Sequence, residues 1–282
     1  MTITICVCGA GTMGSGIAQV AAQSGFNTIL FDTNDEVVNN AKKIIQKNVE
    51  FLAVKEKISA LEKEDILQRI QFTSDIKDCF GQIIIEAIIE KKSAKTSLFN
   101  ELAKYNNEET IFATNTSSLS ISEIQKDVIF PQRVVGMHFF NPAYIMKLVE
   151  VVKGDQTNDE IANAICNVCK EMGKVPVICK DSPGFIVNRV ARHYYLEALK
   201  IAEDGIASYE DIDKILEASG FKMGPFKLMD LIGIDINLAV SKSIYEAFDK
   251  EERFTPSALQ EEKVKNGYLG KKTGKGFYDY ES

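Results

Sequence analysis

Gly9, Gly11 and Gly14 stand in G-x-G-x-x-G spacing, with Thr12 and Met13 inside the same turn. That spacing suits a strand that turns sharply into a helix. Gly9 permits the tight turn, Gly11 lets a pyrophosphate approach the backbone, and Gly14 lets the helix lie close to the sheet. A phosphate would then sit on the helix N-terminus. Ahead of the turn, Ile3, Ile5 and Val7 alternate with Thr4, Cys6 and Cys8, a β-rich run. After the helix, Thr28-Ile29-Leu30-Phe31 ends in Asp32, whose carboxylate can accept hydrogen bonds from an adenosine ribose. Thr33 and Asn34 follow, with no arginine to hold a 2′-phosphate, so the pattern favours NAD over NADP.

A nicotinamide site needs a second group to move a proton as the hydride moves. His138 stands at the exit of the strand-like run Arg133 to Met137, before Phe139, Phe140 and an Asn141-Pro142 turn. The other histidine, His193, falls within a helical stretch beside Tyr194 and Tyr195, where it suits packing. Glu150 interrupts the apolar strand Leu148 to Val152, and a carboxylate there is costly unless it is paired or hydrogen-bonded. On neighbouring strands the two anomalies explain each other. Glu150 could hold the imidazole in one tautomer and stabilise its protonated form.

The elements that must position these residues can be read in order. Two helices are expected over Asp35 to Leu52 and Leu61 to Arg69, more than a simple crossover needs. This hairpin carries Lys55, Lys57 and Lys63. Its lysines are either a solvated face or contacts for an anionic ligand. Strands follow at Ile70 to Thr73, at Gln82 to Ile88 broken only by Glu86, and at Ile111 to Ala113. Glu90 falls at the C-terminal end of the second, where ligands bind in open α/β sheets. A helix over Ser93 to Tyr105 carries Lys95 in its first turn, and Thr114 to Ser118 forms a polar loop. Capping boxes are expected at Ser120 to Glu123 and at Thr157 to Glu160, the latter opening a helix to about Met172. Val175 to Ile178 is the last strand. Beyond Ser182-Pro183-Gly184 only helical periodicity remains, with Gly205 and Gly220 as C-terminal caps and Pro225 and Pro256 as helix starts. The expected architecture is a Rossmann-type doubly wound α/β sheet with a helical-hairpin insertion over 1–182. An all-helical domain over 183–282, for substrate and dimer contacts, follows it.

At 282 residues, with 45% hydrophobic and 26% charged side chains, the chain reads as a globular protein with a substantial core. A net charge of −7 argues against general affinity for nucleic acid or anionic membranes. The first strand begins at Ile3 and no apolar run approaches a bilayer span, so a cytoplasmic location is expected. Six cysteines in apolar contexts suit a reducing compartment. Cys166 and Cys169 form C-x-x-C, but no second pair follows at zinc spacing. The segment reads as mid-helix, and no metal is expected.

Several stretches together resemble the L-3-hydroxyacyl-CoA dehydrogenases, especially the short-chain bacterial 3-hydroxybutyryl-CoA type. They are GAGTMGSGIA, IEAIIEKKSAK, ATNTSSLSI, VVGMHFFNP, LVEVV, DSPGFIVNR, MGPFKLMDLIG and GYLGKKTGKGFYDY, in order along nearly the whole chain. The resemblance implies that His138 is the catalytic base with Glu150 its partner. It implies that Ser117 and Asn188 donate to the substrate oxygen, and that Asp32, Glu90, Lys95 and Asn115 line the NAD site. For the coenzyme A phosphates the match is loose, with Lys55 and Lys57 as candidates. It further implies a homodimer. The expected reaction is NAD-linked interconversion of (S)-3-hydroxyacyl-CoA and 3-ketoacyl-CoA. A dehydrogenase of a free hydroxy acid or sugar acid, and a non-catalytic NAD-binding protein, stand as alternatives.

Overall fold

The computed structural model describes residues 3–280. The chain divides after Ser182 into two compact units. The first is built on an eight-stranded sheet: β1 (Thr4–Cys8), β2 (Asn27–Phe31), β3 (Ile70–Thr73), β4 (Ile83–Glu86), β5 (Ile111–Thr114), β6 (Val134–Phe139), β7 (Leu148–Lys153) and β8 (Val175–Lys180). Their order is β3-β2-β1-β4-β5-β6-β7-β8, parallel except where β6 meets β7. From β1 the chain winds outward to β2 and β3, then returns to start β4 on β1's other side. That reversal opens a crevice at the C-terminal ends of β1 and β4, where this class of sheet binds its ligands.

The central strands are buried on both faces, which is why β1 and β4 read as almost unbroken apolar runs, while the edge strand β8 is largely exposed. Ile5, Val7, Leu30, Ile85 and Met137 join one core with Ile17, Ala21, Ile45 and Ile165, residues of the covering helices. These helices are α1 (Thr12–Gln23), α2 (Asp35–Val54) and α6 (Asp159–Glu171). α3 (Ala60–Gln68), α4 (Lys92–Leu102) and α5 (Ile121–Gln125) complete this unit. Cys166 and Cys169 are both buried on α6, as packed helix cysteines should be.

Local differences from expectation have physical causes. The strand expected over Gln82 to Ile88 holds its ladder only over Ile83–Glu86, because Ile88 N–H turns back to the Glu86 carboxylate at 2.7 Å. The expected box at Thr157 does not form. Asn158 is the cap residue and makes no side-chain cap bond, while the Thr157 hydroxyl is drawn inward to Val134 O (2.7 Å). At Ser120 half the box is present: Ser120 Oγ accepts from Glu123 N–H, but the Glu123 carboxylate pairs with Lys126 and Lys92. A complete reciprocal box opens α3 instead, between Ser59 and Glu62.

The second unit contains α7 (Val187–Glu203), α8 (Tyr209–Ala218), α9 (Pro225–Ile232), α10 (Ile234–Ala247) and α11 (Ala258–Lys265). Pro225 is the first residue of α9. Pro256 lies outside α11, whose cap is Ser257. Gly205 and Gly220 take the positive φ expected of residues ending helices. Two buried aspartates tie this unit together. Asp213 accepts from Phe226 N–H, Lys227 N–H and the Tyr278 hydroxyl, and Asp230 accepts from Phe277 N–H, Tyr278 N–H and the Tyr280 hydroxyl. The aromatic C-terminal segment is thereby fastened to α8 and α9.

Candidate active site

The glycine turn has the shape its chemistry requires. Gly9 takes φ +103°, and a Cβ there would lie 2.5 Å from Ala87 O. A Cβ on Gly14 would lie 1.7 Å from Gly9 O, so α1 starts hard against the turn that feeds it. Around Gly11, by contrast, an added Cβ meets nothing within 4 Å, leaving its backbone open to a phosphate. Asp32 braces this turn: its Oδ2 accepts from Ala10 N–H at 2.9 Å and its Oδ1 from Asn34 N–H at 3.1 Å. Open backbone, helix N-terminus and carboxylate together fit a dinucleotide.

Across the crevice, β4 and β5 deliver a charged cluster. Glu86, Lys95 and Thr114 are fully or almost fully buried. The Lys95 ammonium lies 2.6 Å from Glu86 and 3.1 Å from Glu90. Glu86 also accepts from the Thr114 hydroxyl at 2.6 Å. Burial pushes the Glu86 carboxyl above the usual carboxylate range, and Lys95 with the surrounding donors only partly offsets it. Burial acts upward on Glu90 too. There Lys95 and the donors from Thr116 and Ser117 win and hold it below that range. Glu90 Oε1 collects the Thr116 hydroxyl (2.5 Å), Ser117 N–H (3.0 Å) and Ser118 N–H (3.2 Å). Lys95 thus holds Glu90, and Glu90 shapes the loop that carries Ser117. Asn115 ties the same loop to β6, its Oδ1 accepting from Phe139 N–H at 2.9 Å.

His138 and Glu150 are direct partners in the antiparallel β6–β7 ladder. His138 Nδ1 and Glu150 Oε2 are 2.7 Å apart, both side chains are buried, and the imidazole lies against Phe140 with ring centroids 4.5 Å apart. A carboxylate can only accept, so a hydrogen bond from the ring to ionised Glu150 would put a proton on Nδ1 and leave Nε2 as the atom for substrate chemistry. Asn188 is the second residue of α7, in the other unit.

Two of the first unit's cavities share a lining on α1 and α2. One of about 450 Å³ begins at Gly11, Thr12 and Ser15, and another of about 610 Å³ reaches Lys47, Phe51 and Lys57. Gln19, Asn48 and Tyr144 line both. Lys57 therefore borders a cavity. Lys55 does not line either one; its ammonium lies over the Phe51 ring, 5.7 Å from the centroid. Gln19 was not singled out by sequence, although it is 1% exposed in a helix: its Oε1 accepts from Asn48, while its Nε2 is buried without an acceptor. Lys174 was missed as well. Its buried ammonium donates to Ala143 O (2.5 Å) and Met146 O (2.8 Å), fastening the segment after His138 that carries Tyr144.

Comparison with known proteins identifies the family. Residues 4–182 match the family model described as 3-hydroxyacyl-CoA dehydrogenase, NAD binding domain, and residues 184–280 match that of the C-terminal domain. A 3-hydroxyadipyl-CoA dehydrogenase of Escherichia coli (strain K12) is 44% identical over 98% of this chain, which spans only 59% of that protein. A probable 3-hydroxybutyryl-CoA dehydrogenase of Deinococcus radiodurans is 39% identical, covering 97% of this chain and 99% of that protein. The crystal structure of (S)-3-hydroxybutyryl-CoA dehydrogenase from Ralstonia eutropha superposes with a TM-score of 0.96 at 37% identity, each chain fully covered. The chain therefore belongs to the 3-hydroxyacyl-CoA dehydrogenase family, and its first unit is an NAD-binding domain of that family.

Proposed function

We propose that this protein interconverts (S)-3-hydroxyacyl-CoA and 3-ketoacyl-CoA, with 3-hydroxybutyryl-CoA and acetoacetyl-CoA as its pair. The observation that carries the reading is the buried His138–Glu150 contact of 2.7 Å, on strands continuous with the sheet that bears the nucleotide turn. The Gly9 to Gly14 turn, Asp32 and the Glu90 loop would hold NAD, which when bound would serve as the hydride acceptor. Everything else falls to side chains. His138 Nε2 takes the hydroxyl proton in oxidation and returns it in reduction. Glu150 keeps the ring in the tautomer that can do so and stabilises the cation it becomes. Ser117 and Asn188 donate to the substrate oxygen, which favours the negative charge developing on it. The acyl-CoA occupies the cavity along α2 that reaches Lys57, where Gln19 Nε2 offers an unused donor and Lys57 a positive charge. Six free cysteines suit a cytoplasmic setting. Among the described residues no helix is long and apolar enough to cross a membrane.

Turnover of acetoacetyl-CoA with NADH, set beside acetoacetate with NADH, tests the proposal. Activity on the thioester alone is the expected result. Equal activity on the free acid would identify a hydroxy-acid dehydrogenase, and no activity on either would leave an NAD-binding protein without this reaction.

A further inference from the structure

A cluster under the nucleotide turn takes no part in the chemistry above. Cys6 and Cys8 are two residues apart on β1 and so share one face of the sheet. Cys79 ends the short 3-10 turn Ile76–Asp78 that leads towards β4. All three side chains are fully buried. Cys6 Sγ and Cys8 Sγ are 3.9 Å apart, and the three sulfurs lie within 4.8 Å of one another.

We propose that Cys6, Cys8 and Cys79 form a three-sulfur site for a soft, closed-shell cation, with Cu(I) the ion it fits best. Three arguments support this. Three sulfurs each 3.9 Å apart, the Cys6–Cys8 spacing, would lie about 2.3 Å from their common centre, the length of a Zn–S bond, whereas spacings at the 4.8 Å limit would put them about 2.8 Å from it. Seating an ion therefore draws the Cys79 sulfur towards the β1 pair by up to roughly half an ångström per bond. The donor set is also all sulfur, which selects soft cations over hard ones. Among the described residues no histidine or carboxylate completes the group, whereas structural zinc requires a fourth ligand that a trigonal Cu(I) does not. Finally, the frame is preassembled. β1 is paired on both sides, to β2 and β4, and Cys8 O accepts from Ala87 N–H at 2.7 Å, so two of the three ligands are fixed by the ladder.

Binding exchanges thiol protons for the ion without change of oxidation state. Loss of two protons gives a complex of net charge −1 and loss of three gives −2, so capture strengthens as pH rises. Asp75 and Asp78 in the Cys79 turn add negative charge that favours a cation.

The test uses the full-length protein, reduced and kept free of oxygen, titrated with Cu(I) against a chromophoric Cu(I) chelator. X-ray absorption at the copper edge then counts the bound sulfurs. One ion per chain with three sulfurs is expected. Cys79→Ala and, separately, Cys8→Ala should each weaken capture by about tenfold or more and leave two sulfurs, while Cys169→Ala changes neither. If one variant fails to fold, the other and the wild-type spectrum decide. Substoichiometric capture by folded wild-type protein would overturn the site, as would undiminished capture in Cys79→Ala or Cys8→Ala, which would place the ion on other cysteines.

Discussion

His138 and Glu150 face each other directly across two antiparallel strands, so their contact costs little side-chain freedom and persists as long as the ladder does. Residues that act as one unit lose function together. His138→Ala should lower turnover by about 10²- to 10⁴-fold in both directions, the range of a lost general acid–base, with NADH binding nearly intact. On the proposed mechanism Glu150→Gln keeps the shape but removes the charge that would stabilise an imidazolium, and should cost less. The double variant should lose far less than the product of the two single losses. Steady-state kinetics of the four proteins checks this, and multiplicative losses would mean that Glu150 only braces the sheet. The pair was legible in the sequence because each residue broke a pattern, a histidine at a strand exit and a carboxylate inside an apolar strand. Glu86 broke the same pattern, yet its partner stayed hidden. Lys95 lies on the following helix, where an outward-facing lysine would look identical in sequence. Gln19 and Lys174 were hidden for a related reason: long polar side chains report their burial only once neighbouring segments are in place.

At the scale of elements, the glycine turn and the central strands were readable because local sterics and two-sided burial dictate them. Strand ends and helix caps were not, since the Thr157 hydroxyl and the Ile88 N–H chose tertiary partners that local pattern cannot show. The link between α4, β4 and the loop after β5 is tertiary in the same sense, and it rests on Lys95 between two carboxylates. Those carboxylates respond to pH in opposite senses. Glu90, held low, contributes stability above the ordinary carboxylate range that is lost as pH falls through its folded pKa. Glu86, held high, contributes stability below that range that is lost as pH rises through its folded pKa. Lys95→Met removes the shared cation and leaves Glu86 with an uncompensated buried charge, a defect of about 3–5 kcal/mol while it stays ionised. The variant should therefore be destabilised more at pH 8 than at pH 5, because losing the cation raises an already raised carboxyl further and acid favours its neutral form. Urea unfolding at both values measures it. An equal loss at the two would show that the exposed defect is not the Glu86 charge.

At the scale of the whole molecule, the second unit carries more apolar surface than its own core uses. The crowded stretch around Gly233 divides into two kinds of residue. Met229 and Ile234 are fully buried with Phe226 and Leu199, whereas Leu231, Ile232 and Ile236 remain 51%, 39% and 51% exposed. Sequence could show the crowding but not this division, because the turn at Gly233 between α9 and α10 decides which side chains point inward. Isoleucine and leucine held out of the core gain about 1.5–3 kcal/mol each on full burial, so these three supply part of an association energy at most. Association itself costs about 4–15 kcal/mol, and a stable interface covers about 800 Å² per partner. A homodimer through this unit must then recruit further exposed residues such as Val190, Ile215 or Phe221. On that hypothesis, sedimentation velocity at micromolar concentration should show a dimer. Ile236→Asp should shift it towards monomer while the monomer's circular dichroism stays native, because the side chain contributes little to its own unit's core. The buried Ile234 provides the contrast: Ile234→Asp should unfold the unit rather than merely dissociate it. A wild-type monomer at those concentrations would reject dimerisation. A dimer indifferent to Ile236→Asp would move the interface away from the α9–α10 corner.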